Sequence, residues 1–85
     1  MTTDHPEFSV CVFFPDGSYE YICRFVSALE AIKVFKQQTE TVGAKMGTSV
    51  RVILTDGGDC INMEWKHGIG FTFPPDLVKY NGATQ

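Results

Sequence analysis

The chain reads as a small α+β domain of ββαββ order. Three observations predict this: four short segments alternate with period two, one apolar stripe at helical period separates the second from the third, and an Asp-Gly turn closes each pair of strands. The expected sheet is four-stranded and mainly antiparallel, in the order 2-1-3-4. One helix covers one face, and an extended C-terminal arm follows the fourth strand. With 85 residues the chain has room for one core and one domain spanning residues 1–85, with 1–6 and 81–85 frayed.

The first strand is predicted over Phe8 to Phe14. Phe8, Val10, Val12 and Phe14 share one face; Cys11 and Phe13 make the other face apolar as well, which places this strand in the middle of the sheet. Pro15-Asp16-Gly17-Ser18 is a turn. The second strand, Tyr19 to Phe25, alternates Tyr19, Tyr21, Cys23 and Phe25 with Glu20, Ile22 and Arg24. Matching apolar faces pairs Phe14 with Tyr19, Val12 with Tyr21 and Val10 with Cys23.

Ser27 caps a helix, and Glu30 stands at the capping-box position. The stripe Ala28, Ile32, Phe35, Thr39, Val42 and Met46, widened by Leu29, carries the helix to Gly47, with Gly43 as an earlier stop. The third strand, Ser49 to Leu54, turns Val50, Val52 and Leu54 inward, making Phe35 and Val52 core residues. After Asp56-Gly57-Gly58-Asp59 the fourth strand runs from Cys60 to Lys66, with Ile61, Met63 and Trp65 inward. The expected pairs are Leu54 with Ile61, Val52 with Met63 and Val50 with Trp65. Arg51 then stands opposite Glu64 on the outer face. Ile69, Phe71 and Phe73 precede Pro74-Pro75 and leave two placements open, a fifth strand or an arm laid over the sheet.

The composition narrows the function classes. It is 44% hydrophobic, with seven Phe, three Tyr and one Trp, which excludes a disordered chain. No apolar run approaches the roughly 20 residues of a membrane span, and the N-terminal residues lack the pattern of a signal peptide. A net charge of −3 disfavours generic binding to nucleic acid. Cys11, Cys23 and Cys60 have neither metal-site nor redox spacing and are expected as free thiols in a cytoplasmic protein. Cys60 and His67 stand roughly 23 Å apart on an extended strand, too far for a thiol–imidazole dyad. Asp56 and Asp59 lack the further oxygen ligands of a calcium loop and read as turn-capping residues, with Gly57 and Gly58 supplying positive φ. No cofactor, metal or catalytic residue is expected, and a pairing of Asp16 with His67 is the weak acid–base candidate that the sequence offers.

The candidate residues are few. Asp16 and His67 fall at one end of the sheet and form a weak ligand-binding candidate. Phe13, Ile22 and Ile53 on the outer face, with Ile69, Phe71 and Phe73 from the arm, form a candidate interface. The expected function is that of a non-enzymatic protein-interaction or self-associating domain, with a homodimer or another protein as partner. The alternatives are a small-ligand pocket between sheet and arm, with His67 at its rim, and a nucleic-acid accessory protein.

Overall fold

The computed structural model describes residues 6–76, so the expectations for residues 1–5 and 81–85 lie outside it. The strands are β1 (Phe8–Phe13), β2 (Tyr19–Val26), β3 (Arg51–Thr55), β4 (Ile61–Lys66) and β5 (Gly70–Phe73), with helices α1 (Ala28–Thr39) and α2 (Val42–Met46) between β2 and β3. All strands pair antiparallel in one sheet of order β2-β1-β3-β4-β5. The predicted order holds. The sheet gains a fifth strand, because residues 70–73 pair with the edge of β4 instead of crossing a face.

β1 is central because it is buried on both sides. Val10 and Val12 enter the core beneath α1, while Ser9 and Cys11 are buried on the opposite face. β1 and β3 pair without irregularity from Ser9–Thr55 to Phe13–Arg51. Ala31 and Phe35 of α1 meet Val10, Val12, Val52 and Leu54, and Met63, Trp65 and Phe71 pack around them. The predicted core pair, Phe35 and Val52, is fully buried.

The helix is shorter than its periodicity suggests. Ser27 does cap α1, its hydroxyl accepting from the Glu30 N–H at 3.3 Å. α1 nevertheless stops at Thr39 and not at Gly43 or Gly47. The Thr39 and Thr41 hydroxyls donate to the Lys36 and Gln38 carbonyls, and Thr41 turns extended to cap α2 through the Ala44 N–H. Short hydroxyl side chains compete in this way with continued helix. The break rotates the stripe, leaving Val42 (72%) and Met46 (75%) exposed and burying Ala44 instead. Leu29 is also exposed (76%), so it does not widen the apolar face; Val34 and Ala31 do. Gly47 ends α2 at φ 87°, and a Cβ there would stand 3.1 Å from the His67 ring.

Both predicted hairpin registers need correction, for one shared reason: each closes through three loop residues, not two. The Phe14 N–H donates to the Ser18 carbonyl around Pro15–Gly17, and the Asp56 N–H donates to the Cys60 carbonyl around residues 57–59. The third loop residue is left-handed in both, Gly17 at φ 90° and Asp59 at φ 63°. Gly57 and Gly58 are therefore not the positive-φ positions. Gly57 instead allows the Glu7 carboxylate to approach and accept its N–H, since a Cβ would stand 2.7 Å from Glu7 Oε1.

Near the first turn, Glu20 thus faces Val12 and Tyr21 faces Cys11. An extra residue, Ile22, restores the expected Val10–Cys23 pair. In the second hairpin Leu54 faces Met63, Val52 faces Trp65 and Ile53 faces Glu64, two residues from the predicted register. A two-residue shift keeps Met63 and Trp65 inward. Asn62 is the extra residue, and beyond it Ile61 faces Thr55. The turn at residues 67–69 repeats the device: Lys66 faces Gly70, Trp65 faces Phe71, and Thr72 is bulged before Glu64 faces Phe73.

β2 departs once more from the ladder. Between the Val10–Cys23 and Phe8–Val26 pairs, Ser9 stands against both Arg24 and Phe25. Phe25 is left-handed at φ 56°, and its N–H donates to the Ser9 hydroxyl at 3.3 Å. A side chain at such a φ costs roughly 1–2 kcal/mol.

Two stability experiments check these assignments. Phe35→Ala should lower unfolding free energy by about 3–5 kcal/mol in chemical denaturation; an unchanged midpoint would mean that α1 faces the sheet differently. Phe25→Gly should be more stable than Phe25→Ala by about 1 kcal/mol, the inverse of the usual strand order; the ordinary order would remove the left-handed assignment.

Candidate functional site

The three bulged hairpins determine what the sheet presents opposite α1. The shortened registers put Tyr19, Tyr21 and Ile61 on the outer face, although alternation alone places them inward. The bulge at Thr72 separates Phe71, which turns inward to lie 6.1 Å from the Phe35 ring, from Phe73, which stays outward beside Glu64. Phe71 is thus part of the core, whereas Phe73 lies on the outer face.

The outer face is lined by rings and cations in contact. Arg24 lies 4.5 Å from the Tyr21 ring and 5.0 Å from the Phe25 ring. Tyr21 meets Tyr19 edge-on at 6.1 Å, and Tyr19 packs on Phe13 at 5.6 Å. Arg51 then covers Phe13 at 5.0 Å and pairs with Glu64. Tyr19 and Phe25 are each 61% exposed. Cys11 and Ile53, on the same face, are buried although no second layer stands above them among the described residues.

Arg51 and Glu64 are diagonal neighbours, since Lys66 stands directly opposite Arg51. Arg51 Nε donates to Glu64 Oε2 at 2.5 Å, and the Thr72 hydroxyl donates to Glu64 Oε1 at 2.5 Å. Burial pushes the Glu64 carboxyl up, but the Thr72 hydroxyl, the Arg51 guanidinium and the nearby Lys66 charge outweigh it, so the group sits below its ordinary value. Around this network Arg51, Ile61, Glu64, Thr72 and Phe73 line an open hollow of about 310 Å³. This hollow lies on the outer face itself, across β3, β4 and β5.

His67 is not part of that rim. Its Nδ1 donates to the Ala44 carbonyl at 2.7 Å and its backbone N–H to the Val50 carbonyl at 3.0 Å, so it ties the β4–β5 turn to α2 on the helix side. The ring also meets Trp65 at 6.5 Å. Asp16, at the same end of the sheet, accepts from the Ser18 hydroxyl and N–H, contacts that hold its carboxyl below the ordinary range. The structure gives the two residues separate partners. Of the remaining candidates, Phe13 is half-buried in the aromatic row, Ile22 is the exposed extra residue of β2, and Ile69 is exposed in the β4–β5 turn.

The cysteines are free: Cys11 buried, Cys23 half-buried and Cys60 exposed. Burial pushes the Cys11 and Cys23 thiols up, away from the reactive thiolate. Among the described residues no group of three or more His, Cys, Asp and Glu side chains could hold a metal ion. No helix there is long and apolar enough to cross a membrane.

Sequence reasoning missed Tyr19, Tyr21, Ile61 and Phe25 as outer-face residues. It also placed Glu20 beside Arg24 and Arg51, whereas Glu20 faces Val12. The strand residues of the outer face therefore include Arg24, Arg51 and Lys66 against the carboxylate of Glu64. That local excess of two positive charges stands on a chain of net charge −3. Comparisons with protein-family models, curated proteins and solved structures each find no match.

The Glu64 network makes a pH prediction. A carboxyl whose folded pKa lies below its unfolded value stabilises the fold fully well above that value, ordinarily 4.5, and loses the contribution as pH falls through the folded pKa. Wild-type stability should therefore fall more steeply below about pH 4.5 than that of Glu64→Gln. Parallel urea-denaturation profiles for the two proteins between pH 3 and 6 would disprove the assignment.

Proposed function

We propose that this chain is a non-enzymatic docking domain that binds another protein on its outer sheet face. One observation carries the reading: the hairpin geometry places exposed aromatic and aliphatic side chains on the face that the helices leave open. Tyr19, Tyr21, Phe25, Ile61 and Phe73 are all exposed. They surround arginines that already stack on rings. Tyr, Phe and Arg are enriched at protein interfaces, where they bring large contact area.

The expectation of a binding rather than a catalytic role is supported by how the polar groups are used. Asp16 and Asp56 hold turn amides, His67 holds α2, and Glu64 is engaged by Arg51 and Thr72. Asp16, Asp56 and His67, three of the groups that sequence reasoning considered for chemistry, thus have structural partners.

Tyr19→Ser with Ile61→Ser removes exposed apolar surface while leaving the inner core intact, at a stability cost of about 1 kcal/mol or less per site. Affinity capture from host cells, quantified by mass spectrometry, should show partner proteins reduced about fivefold or more on the folded double variant. Identical captured sets on both baits would refute docking through this face.

A further inference from the structure

Resting on the outer-face reading, we infer that the partner is an acidic segment of a different protein, anchored by an apolar side chain. The charge distribution is the first argument. Among the strand residues of the outer face, Arg24, Arg51 and Lys66 stand against the carboxylate of Glu64, while the chain as a whole is acidic. Its carboxylates lie largely elsewhere: Asp16 and Asp56 in turns, Glu7 at the Gly57 amide, and Glu30 on α1. Among the described residues the Arg51–Glu64 contact is the one ion pair. Arg24 is held between two aromatic rings, leaving its charge available to a carboxylate.

That distribution discriminates between occupants. A second copy meeting this face about a two-fold axis would bring like-charged surfaces together, the arrangement that interfaces avoid. A nucleic-acid strand carries a phosphate at every nucleotide and would extend past this face toward Asp16 and the other turn carboxylates, on a chain of net charge −3. An acidic peptide needs only a few charges to match the local excess.

The shape of the face is the second argument. The open hollow of about 310 Å³ between Ile61 and Phe73 is large enough to admit an apolar side chain. Glu64 on its wall is already paired with Arg51 and accepts from the Thr72 hydroxyl, so it does not require a cation from the ligand. Phe25 gives a third indication. It is an exposed aromatic held at positive φ, in a bulge that sets its ring against Arg24. Bulges commonly re-aim a side chain toward a binding partner.

The test is selection of a displayed library of random 12-residue peptides against the full chain. Arg24→Glu with Lys66→Glu serves as counter-bait, and Arg24→Gln with Lys66→Gln as the gentler pair if charge reversal disturbs folding. Enriched peptides should combine Asp or Glu with an aliphatic or aromatic residue, and the charge-reversed bait should bind them about tenfold or more weakly. Enrichment of neutral or basic peptides that is lost with Tyr19→Ser and Ile61→Ser, but not with the charge variants, would overturn this inference and preserve docking. No enrichment on the outer face would overturn both. Tighter binding of a 12-nucleotide oligothymidine than of the selected peptides would overturn the acidic-peptide assignment, as would self-association in sedimentation equilibrium that the peptides cannot compete.

Discussion

The double burial of β1 organises the rest of the molecule. A strand with Val10 and Val12 on one side and Ser9 and Cys11 on the other needs cover on both faces and neighbours on both edges. β3 supplies one edge through an unbroken ladder from Ser9–Thr55 to Phe13–Arg51. α1 covers one face with Ala31 and Phe35. Among the described residues no second layer covers the other face, and the remaining hairpins are arranged to compensate for that.

The compensation is made by irregularities in the strands that flank β1 and β3. Each hairpin closes around three residues, at Pro15–Gly17, at 57–59 and at 67–69, and each has an extra residue in its returning strand: Ile22, Asn62 and Thr72. A bulge reverses which side chains face inward on either side of it. One strand can therefore supply the core at one end and the outer face at the other. β4 gives Met63 and Trp65 to the core and Ile61 to the outer face; β5 gives Phe71 to the core and Phe73 to the outer face. In β2, Cys23 and Val26 pack inward while Tyr19 and Tyr21 cover Cys11 and join Phe13.

This explains which parts of the architecture were legible in the sequence. Element content and strand order follow from the double apolarity of β1 and from the position of the helical stripe, features that a one-residue slip does not disturb. The Arg51–Glu64 contact was also legible, because the true register differs from the expected one by two residues and keeps both on the same face. Loop length was not legible. Asp16-Gly17 and Asp56-Gly57-Gly58-Asp59 are compatible with turns of two or three residues, and only the closing bonds Phe14–Ser18 and Asp56–Cys60 distinguish them. The outer-face role of Tyr19, Tyr21 and Ile61 depends on that distinction. So does the departure of Glu20 from the face that carries Arg24. The helix break was hidden differently: Thr39 and Thr41 fit an amphipathic pattern, and their hydroxyls act on backbone carbonyls in a way that apolar periodicity does not record.

The cover over Cys11 and Ile53 also bears on how the outer face can bind. Rings and arginine stems exclude water from these two residues while keeping their polar atoms at the surface. Because Arg24, Tyr21, Tyr19, Phe13 and Arg51 contact one another in sequence, each has lost side-chain freedom before any partner arrives. A partner seated on this row meets an ordered surface and avoids part of the ordering cost that flexible arginines would impose. Protection of the sheet's open side and pre-ordering of the proposed docking surface thus arise from the same side chains.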